Sequence, residues 1–416
     1  MSISKAYLSD IKEKAGGAKE KKAVLGPDID LSRYSQHIEK GRIESLEGLS
    51  QQAREAAILA GIDIKEETRS GTYVQVDHSV VYERLNRVYE GKLEIMSTTE
   101  ALRKYDWLED YYWKAVPVDQ DKYTAQAELN MTHGYFIRVL PHQKLDYPVQ
   151  ACLLVAENYV SQNVHNMIIV EEGADLQVIT GCTLSRSDAE GIHIGVSEFY
   201  VKKGGKLSFT MIHNWADNFH VRPRTAVVVE EDGMFINNYV LLKPVKSIQA
   251  FPVAYIKGER ASAKFNTVVY GLKDSYIDIG SRIVFEVPNT RGESVARVIA
   301  GDESIIYSRG DLVAKTKEYC VAHLDCRGIL FSTKGSIYAI PQLVSDGASK
   351  AELSHEASIG PIAEEQVEYL MSRGISREDA ISVITSGFLN LDIPYLPQFL
   401  DTNIKEVIKA TAKESM

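Results

Sequence analysis

Cysteine is scarce in this 416-residue chain, which has only four: Cys152, Cys182, Cys320 and Cys326. So few thiols in so long a chain cannot build the disulfide framework of a small secreted protein. Residues 1–20 are polar and lysine-rich, without the apolar segment of a secretory signal, and no apolar run reaches about 18 residues. We therefore expect a cytoplasmic protein without a transmembrane helix, whose cysteines are free thiols or metal ligands.

An excess of basic charge is also absent. Lysine and arginine number 47 against 57 aspartates and glutamates, which gives a formal net charge of -10. A nucleic-acid-binding surface needs a basic patch, and the lysine cluster of this chain lies near its N-terminus. The sequence also lacks a Gly-x-x-x-x-Gly-Lys-Ser/Thr loop and a Gly-x-Ser-x-Gly elbow. We therefore expect no nucleic acid as a partner and no ATP hydrolysis by this chain alone.

A repeated strand pattern occupies the middle of the chain. From about residue 130 to 345, short runs of Val, Ile, Tyr and Phe alternate with polar residues and end at glycine. Residues 169–178, 200–209 and 228–237 are nearly superimposable, each with a strand, a charged glycine turn and a second strand. Hairpin dipeptides are rare, with only Asp232-Gly233 and Asp346-Gly347. The pattern therefore favours a β-solenoid over a sandwich, with helices capping its ends.

The chain divides into three predicted regions. Residues 1–105 are expected to be mostly helical and polar, with short strands near residues 73–76 and 80–82. Residues 106–347 are expected to form the β-core, and residues 348–416 a C-terminal helical domain. The fold class predicted from these regions is mainly β, with helical regions at both ends.

Helix signals mark the C-terminal region. Pro361 suits the first turn of a helix, Gly374 a helix C-cap, and Ser376 the N-cap of the next helix. A final amphipathic helix is predicted from the spacing of Phe399, Leu400, Ile404, Val407 and Ile408.

Two of the cysteines lie six residues apart on one predicted strand. Such a strand places Cys320 and Cys326 on one face and His323 and Asp325 on the other. At about 3.3 Å per residue, the two thiols are roughly 20 Å apart, so one metal site cannot use both unless the strand bends. A thiolate favours soft metals, although an isolated cysteine is usually a small buried apolar residue. Cys152 and Cys182 lie in apolar strands and are expected to be core residues.

His355 and Glu356 are adjacent in the sequence. On a regular strand they face opposite ways, so both reach one site only if the chain turns there. The alternative is a surface glutamate beside a hydrogen-bonded histidine. The other histidines have no metal-ligand spacing.

The block from Cys326 to Phe388 resembles the C-terminal half of the SufB/SufD family of iron–sulfur cluster assembly scaffolds. The resemblance rests on Cys326-Arg327-Gly328, on residues 354–357 (Ser-His-Glu-Ala), on residues 369–376, and on Ser386-Gly387-Phe388. The His-Glu-Ala triplet is similar to the SufB side of the family, and the resemblance covers about residues 110–390. It implies that the chain has a right-handed parallel β-helix core between helical ends. It also implies that the chain is a short SufB-like member of the family.

The resemblance also implies a site. Cys326 aligns with the functional cysteine of the family, and His355 and Glu356 with the pair near it at the interface of two subunits. Cys320 is a weaker candidate. These residues would hold a transient iron–sulfur cluster, which we expect to be of the 4Fe-4S type, for transfer to apo recipient proteins. Because the strand offers one usable thiol, we expect a homodimer.

A partner is implied as well. In the family the C-terminal helices dock a SufC-type ABC ATPase, which hydrolyses the ATP, so this chain is expected to be a scaffold and not an enzyme. The matching docking residues are Tyr369, Leu370, Arg373, Gly374, Ile381, Ile384 and Phe388. The chain departs from longer SufB members at Ala254, where they have a core cysteine, which puts an internal sulfur relay in doubt.

Two alternatives stay open. One is a structural SufD-like subunit of the same complex, which Glu356 disfavours because SufD-like chains typically lack this glutamate. The other is a β-helix carbohydrate-active enzyme, which needs paired carboxylates on one solenoid face. The candidate carboxylates are Asp302 with Glu303 and Asp274 with Asp278.

Overall fold

The computed structural model describes residues 2–389. The α-helices of this part are α1 (Lys5–Gly17), α2 (Gln51–Leu59), α3 (Thr98–Lys104), α4 (Lys122–Leu129), α5 (Glu364–Ser372) and α6 (Arg377–Leu389). Short 3₁₀ turns occur at Leu31–Arg33, Leu46–Gly48, Arg87–Tyr89 and Asp106–Asp110.

The strands run along most of the chain in a single series. They are β1 (Gly71–Val76), β2 (Ser79–Leu85), β3 (Leu93–Ser97), β4 (Tyr135–Val139), β5 (Val149–Val155), β6 (Val160–Val170), β7 (Asp175–Leu184), β8 (Gly191–Val201), β9 (Lys206–Asn214), β10 (Phe219–Val221), β11 (Arg224–Val229), β12 (Met234–Leu241), β13 (Ser247–Ala250), β14 (Val253–Ile256), β15 (Ser262–Gly271), β16 (Tyr276–Phe285), β17 (Thr290–Ala300), β18 (Ile305–Ala314), β19 (Cys320–Leu330), β20 (Ser336–Val344) and β21 (Glu352–Gly360).

These strands build a parallel β-solenoid from two facing sheets. Sheet 1 has the order β2-β1-β5-β7-β9-β12-β15-β17-β19-β21. Sheet 2 has the order β10-β13-β16-β14-β11-β8-β6-β4-β3, extended by β18 beside β16 and by β20 beside β18. All neighbours are parallel except the pairs β1–β2 and β3–β4. The predicted parallel β-solenoid is confirmed. A right-handed coil, as predicted, is the handedness that parallel β-strand crossovers almost always have.

The repeated segments of the sequence stack on one another as successive coils. Asp175 pairs with Lys206, and Lys206 pairs with Met234, so the three predicted turns lie in register. Each turn reverses the chain through a left-handed residue, with φ of 65° at Gly173, 64° at Gly204 and 55° at Asp232. Glycine recurs in these turns because it adopts this backbone conformation at low cost, and aspartate adopts it more readily than most other residues.

The core lies between the two sheets. Alternate residues of each strand point inward, and the phenylalanines of neighbouring coils stack there. The ring centroids of Phe199 and Phe209 are 4.7 Å apart, and those of Phe235 and Phe265 are 5.8 Å apart. Outside sheet 2, α1 and α4 cover a second apolar cluster that includes Ile11.

The solenoid extends past both predicted limits of the β-core. The strands predicted near residues 73–76 and 80–82 are β1 and β2, but β3 was not predicted. Beyond residue 347, β21 pairs with β19 along its whole length, although that stretch was assigned to the helical C-terminal domain. The division into domains at residues 105 and 347 stays a prediction, and strands of the solenoid lie on both sides of these two positions.

The helices after the solenoid follow most of the predicted signals. Helix α5 begins at Glu364 after Ala363, so the prediction that Pro361 lies in the first turn is wrong by one turn. Gly374 ends α5 with φ of 87°, and Ser376 accepts a hydrogen bond from Asp379 N–H at the start of α6, as predicted. The predicted helix containing Phe399 to Ile408 lies outside the described residues. No helix within residues 2–389 is long and apolar enough to span a membrane.

Candidate functional site

Cys326 lies near the end of the solenoid, on the inner face of β19. Cys320, Ala322 and Leu324 alternate along the same face and are buried in the core, which confirms the predicted alternation. Cys326 is 5% exposed. Burial raises the pKa of its thiol, and a hydrogen bond from the Ser308 hydroxyl and the charge of Arg297 act in the opposite direction.

The two cysteines of β19 do not share a site. The strand keeps an unbroken register with β17 and β21, so it does not bend between Cys320 and Cys326. Six residues of extended strand place the two Cα atoms roughly 20 Å apart. Cys320 is fully buried, and burial raises the pKa of its thiol. Within one chain, Cys320 therefore belongs to the apolar core, at the opposite end of β19 from Cys326.

His355 and Glu356 point to opposite faces of β21. Their neighbours on β19 are Leu324 and Asp325, while Cys326 pairs with Ala357. Residues paired in register in a parallel sheet point to the same side, so His355 lies on the inner face with Cys326, and Glu356 lies on the outer face. The chain does not turn here, and one chain therefore brings Cys326 near His355 but not near Glu356.

The imidazole of His355 has an unused nitrogen. Its Nε2 atom is buried and has no hydrogen-bond partner among the described residues. A buried polar atom without a partner costs free energy unless a ligand satisfies it. The thiol of Cys326 and the imidazole of His355 are both suited to iron or other borderline metals. The inner face of the last two coils of sheet 1 thus carries two potential metal ligands.

A chain of ion pairs occupies the outer face. Arg297 donates to Asp325 at 2.6 Å, Arg327 donates to Asp325 at 3.0 Å, and Arg327 also reaches Glu356 at 3.1 Å. Burial opposes ionisation of Asp325, but the two guanidinium groups hold its pKa below the ordinary value. The side chain of Glu356 is 59% exposed. Glu356 is therefore a solvated partner of Arg327 in one chain.

The last coil of the solenoid is open to one side. Among the described strands, β20 pairs with β18 alone and β21 with β19 alone, so each has one free edge. Large apolar side chains of this coil are exposed: Tyr338, Ile340, Leu343, Val344 and Ile359. A free strand edge with exposed apolar side chains is a place where another chain can pair. The strand β20 lies within the predicted β-core, but its free edge was not predicted, although Pro341 within it is a signal of an edge strand.

The described residues of one chain do not contain a complete metal site. Within residues 2–389, no three His, Cys, Asp or Glu side chains are grouped so that they could hold a metal ion. Cys326 and His355 are two potential ligands beside the open end. A larger cargo at this position would need ligands in addition to these two.

The predicted docking residues form a small helical hairpin after the solenoid. Tyr369 and Arg373 are exposed on α5, with the guanidinium lying over the ring. Gly374 forms the turn between α5 and α6. Leu370, Ile381, Ile384 and Phe388 are half-buried, and Phe388 packs against the outer face of sheet 1. The exposed apolar residues of the hairpin also include Met371 and Val383.

The carboxylates considered for a carbohydrate-active site are each engaged elsewhere. Lys246 binds Asp274 at 2.7 Å, Arg309 binds Asp278 at 2.6 Å, and Lys334 binds Glu303 at 2.7 Å. Asp302 accepts a hydrogen bond from the backbone N–H of Lys273. The ion-paired carboxylates bridge neighbouring coils, as structural residues of a solenoid do. This arrangement does not favour general acid and base roles.

The geometry thus defines a parallel β-solenoid with a cysteine and a histidine beside an open terminal coil. The family model for the "SUF system FeS cluster assembly, SufBD core domain" matches residues 153–388. This match covers more than half of the chain. The chain therefore belongs to the SufBD family of iron–sulfur cluster assembly proteins, as the resemblance had implied.

Relatives from other organisms agree with this assignment. An iron–sulfur cluster assembly SufBD family protein of Methanothermobacter thermautotrophicus is 43% identical over 413 residues, covering 98% of this chain and 99% of that protein. A SufBD family protein of Archaeoglobus fulgidus is 46% identical over 354 residues, covering 85% and 94%. The iron–sulfur cluster assembly protein SufB of Bacillus subtilis is 27% identical over 347 residues, covering 82% and 73%.

Proposed function

We propose that this protein is a scaffold on which an iron–sulfur cluster is assembled and from which it is transferred. The observation that carries the proposal is the position of Cys326 and His355 on one inner face beside an open coil. The unpartnered Nε2 atom of His355 adds a ligand without a competing hydrogen bond. A thiolate and an imidazole are known ligands of iron–sulfur clusters.

Two copies of the chain are needed for a complete site. A cluster of several irons requires more ligands than one thiol and one imidazole. The free edges of β20 and β21, with their exposed apolar residues, fit the same edges of a second copy related by a two-fold axis. In this homodimer the inner faces that carry Cys326 approach each other. Weak ligation shared between two chains suits a cluster that must leave, and we expect a 4Fe-4S cluster.

Iron binding changes the protonation of Cys326. The thiol proton leaves when the sulfur binds iron, because the thiolate is the metal ligand. The Ser308 hydroxyl and the positive charge of Arg297 favour the thiolate and partly offset the effect of burial. Glu356 contributes only after it separates from Arg327 and changes its orientation, because it starts on the opposite face.

The helical hairpin of α5 and α6 is the proposed docking element for a SufC-type ABC ATPase. Its exposed residues Tyr369, Met371 and Val383 offer an apolar surface to a partner. ATP hydrolysis takes place in that partner, and this chain acts as a scaffold and not as an enzyme. The apo recipient proteins and the site of action are expected to be cytoplasmic.

Anaerobic reconstitution with iron and sulfide tests the scaffold role. The wild-type protein should develop the visible absorption of iron–sulfur charge transfer, and Cys326→Ser should lose most of it, because a hydroxyl stays protonated at neutral pH. Cys152→Ser is the matched control, because Cys152 is a fully buried thiol in a separate apolar cluster. If Cys326→Ser holds as much cluster as the wild type, the scaffold proposal is wrong.

The runner-up is a structural SufD-like subunit. The ion pair between Glu356 and Arg327 favours it, since it ties the carboxylate to the outer face. In that case the purified chain would bind no cluster in the same experiment but would still bind the ATPase subunit. A pull-down with that subunit therefore separates the two roles.

A further inference from the structure

A second group of soft ligands lies inside the solenoid, several coils away from Cys326. Cys182 is on β7, and Met211 and His213 are on the neighbouring strand β9, all on the inner face of sheet 1. The Sγ atom of Cys182 lies 3.5 Å from the Sδ atom of Met211. Cys182 pairs in register with His213, so the two side chains stand side by side. A thiol, a thioether and an imidazole therefore meet at one place in the core.

The imidazole of His213 has a free nitrogen at this place. His213 is 3% exposed, and its Nδ1 atom lies 3.0 Å from the Tyr239 hydroxyl. Its Nε2 atom is buried without a hydrogen-bond partner among the described residues. When Nδ1 is protonated and donates a hydrogen bond to the Tyr239 hydroxyl, Nε2 has a lone pair. This neutral tautomer is the form of the imidazole that binds metals. Burial and the nearby His193 lower the pKa of His213, so the ring stays neutral.

Space for an ion is present beside these side chains. Met211, His213 and Tyr239 line a cavity of about 50 Å³, and Cys182 lies behind Met211, in contact with its sulfur. That volume exceeds the space that one small ion or water needs. Across it lie Thr225 and Thr267, which carry no charge. A ligand in the cavity therefore meets uncharged side chains.

We propose that Cys182, Met211 and His213 form a binding site for a soft monovalent cation, Cu(I). Thiolate and thioether sulfur select Cu(I), and imidazole also suits copper. On binding, Cys182 releases its thiol proton to solvent, a sulfur–copper bond forms, and copper keeps its oxidation state. The thiolate and Cu(I) together are neutral, whereas Zn(II) or Fe(II) would leave a positive charge in an apolar core, which is costly. This inference does not depend on the proposed scaffold role.

Anaerobic titration with Cu(I) against a chromophoric Cu(I) chelator tests the site. The full-length protein should hold one tightly bound equivalent that is lost in Cys182→Ser. In Met211→Leu the affinity should fall by at least the roughly 10- to 100-fold that loss of an outer-sphere partner costs. Met167→Leu is the matched control, because Met167 is a fully buried methionine outside the cluster. Repeating the titration in Cys326→Ser removes any contribution from the open end.

Thermal unfolding gives a second measurement. The midpoint of each variant is compared with and without Cu(I), so a change in stability caused by the substitution itself does not affect the result. Cu(I) should raise the midpoint of the wild type, since a ligand that binds the folded state stabilises it. Met211→Leu keeps the volume of the side chain and should unfold at nearly the wild-type temperature without Cu(I). It should show little increase with Cu(I). If Cu(I) raises the unfolding midpoint of the wild type and of Met211→Leu equally, the proposal is wrong and the cavity is left to water. An equal rise of the wild-type midpoint with Zn(II) would also overturn it, because the site would not select Cu(I).

Discussion

At the scale of single residues, Asp325 links two coils of the outer face through Arg297 and Arg327. Asp325→Asn removes the carboxylate that pairs with Arg297 and leaves Arg327 paired with Glu356 alone, and it should lower the free energy of unfolding at neutral pH by about 1–3 kcal/mol. Because the folded-state pKa of Asp325 is lowered, its stabilisation is present above the unfolded pKa of about 4 and is lost as pH falls through the folded value. Urea unfolding at neutral and acidic pH measures both effects.

The control for this substitution is Asp188→Asn. Asp188 also pairs with an arginine, Arg186, but both side chains are exposed. An exposed pair contributes little to stability. The difference between Asp325→Asn and the wild type should shrink below about pH 4, where the carboxyl of the unfolded chain is protonated. A difference that stays constant with pH would show that the ion pairs are not its source.

Glu356 is the second residue whose role can be measured. Glu356→Gln keeps the size of the side chain but removes its charge, so under the scaffold proposal it should retain less cluster than the wild type and more than Cys326→Ser. Glu352→Gln, on the same strand and also exposed, is the control. Iron and sulfide analysis after anaerobic reconstitution gives the retained amounts. Wild-type retention in Glu356→Gln would restrict this glutamate to its ion pair with Arg327.

The orientation of these residues could be predicted in part. Strand alternation alone placed Cys320 and Cys326 on one face and separated His355 from Glu356. The ion pairs around Asp325 could not be predicted, because Arg297 lies 28 residues away and meets Asp325 only through the stacking of coils. The same holds for Ser308, which contacts Cys326 from the opposite sheet. Contacts between coils depend on how the strands of successive coils are aligned, and this alignment cannot be read from the sequence.

At the scale of elements, β21 shows why some strands cannot be predicted from the sequence. Its sequence, Glu352–Gly360, is polar and has few β-branched residues, which gives a weak strand signal. It is a strand because β19 offers a complete row of backbone partners. The regular turns at Gly173 and Gly204, in contrast, were evident from their repetition. Local preference determined the turns, and pairing with a neighbour determined the last strand.

The helical hairpin supports a prediction at the same scale. Tyr369→Glu places a charge on a side chain that is 58% exposed and should weaken binding of the ATPase subunit at least tenfold, about 1.4 kcal/mol. Val88→Glu, at a position 66% exposed in the N-terminal region, should not affect binding. A binding titration with the purified ATPase subunit gives both values. Equal affinity for the two variants would place the docking surface elsewhere.

At the scale of the whole molecule, the open coil predicts a homodimer. Light scattering should give twice the mass of the chain for the wild type. Leu343→Lys adds a charge to the exposed apolar end of β20 and should shift the protein to the monomer. Val24→Lys, which changes the most exposed apolar side chain in the N-terminal region, is the control. A strictly monomeric wild type would contradict the shared site.

The in-register stacking of coils has a consequence for how such chains can change in length. Lys206 and Met234 are direct neighbours, so residues 206–233 make one complete coil. Duplication or loss of such a unit would join matching ends and keep the strands aligned, since each coil contacts mainly its neighbours. The distance between the N-terminal helices and the open end would then change in fixed steps, while Cys326 and His355 kept their surroundings. Such a change would alter the reach of the chain without altering the proposed site.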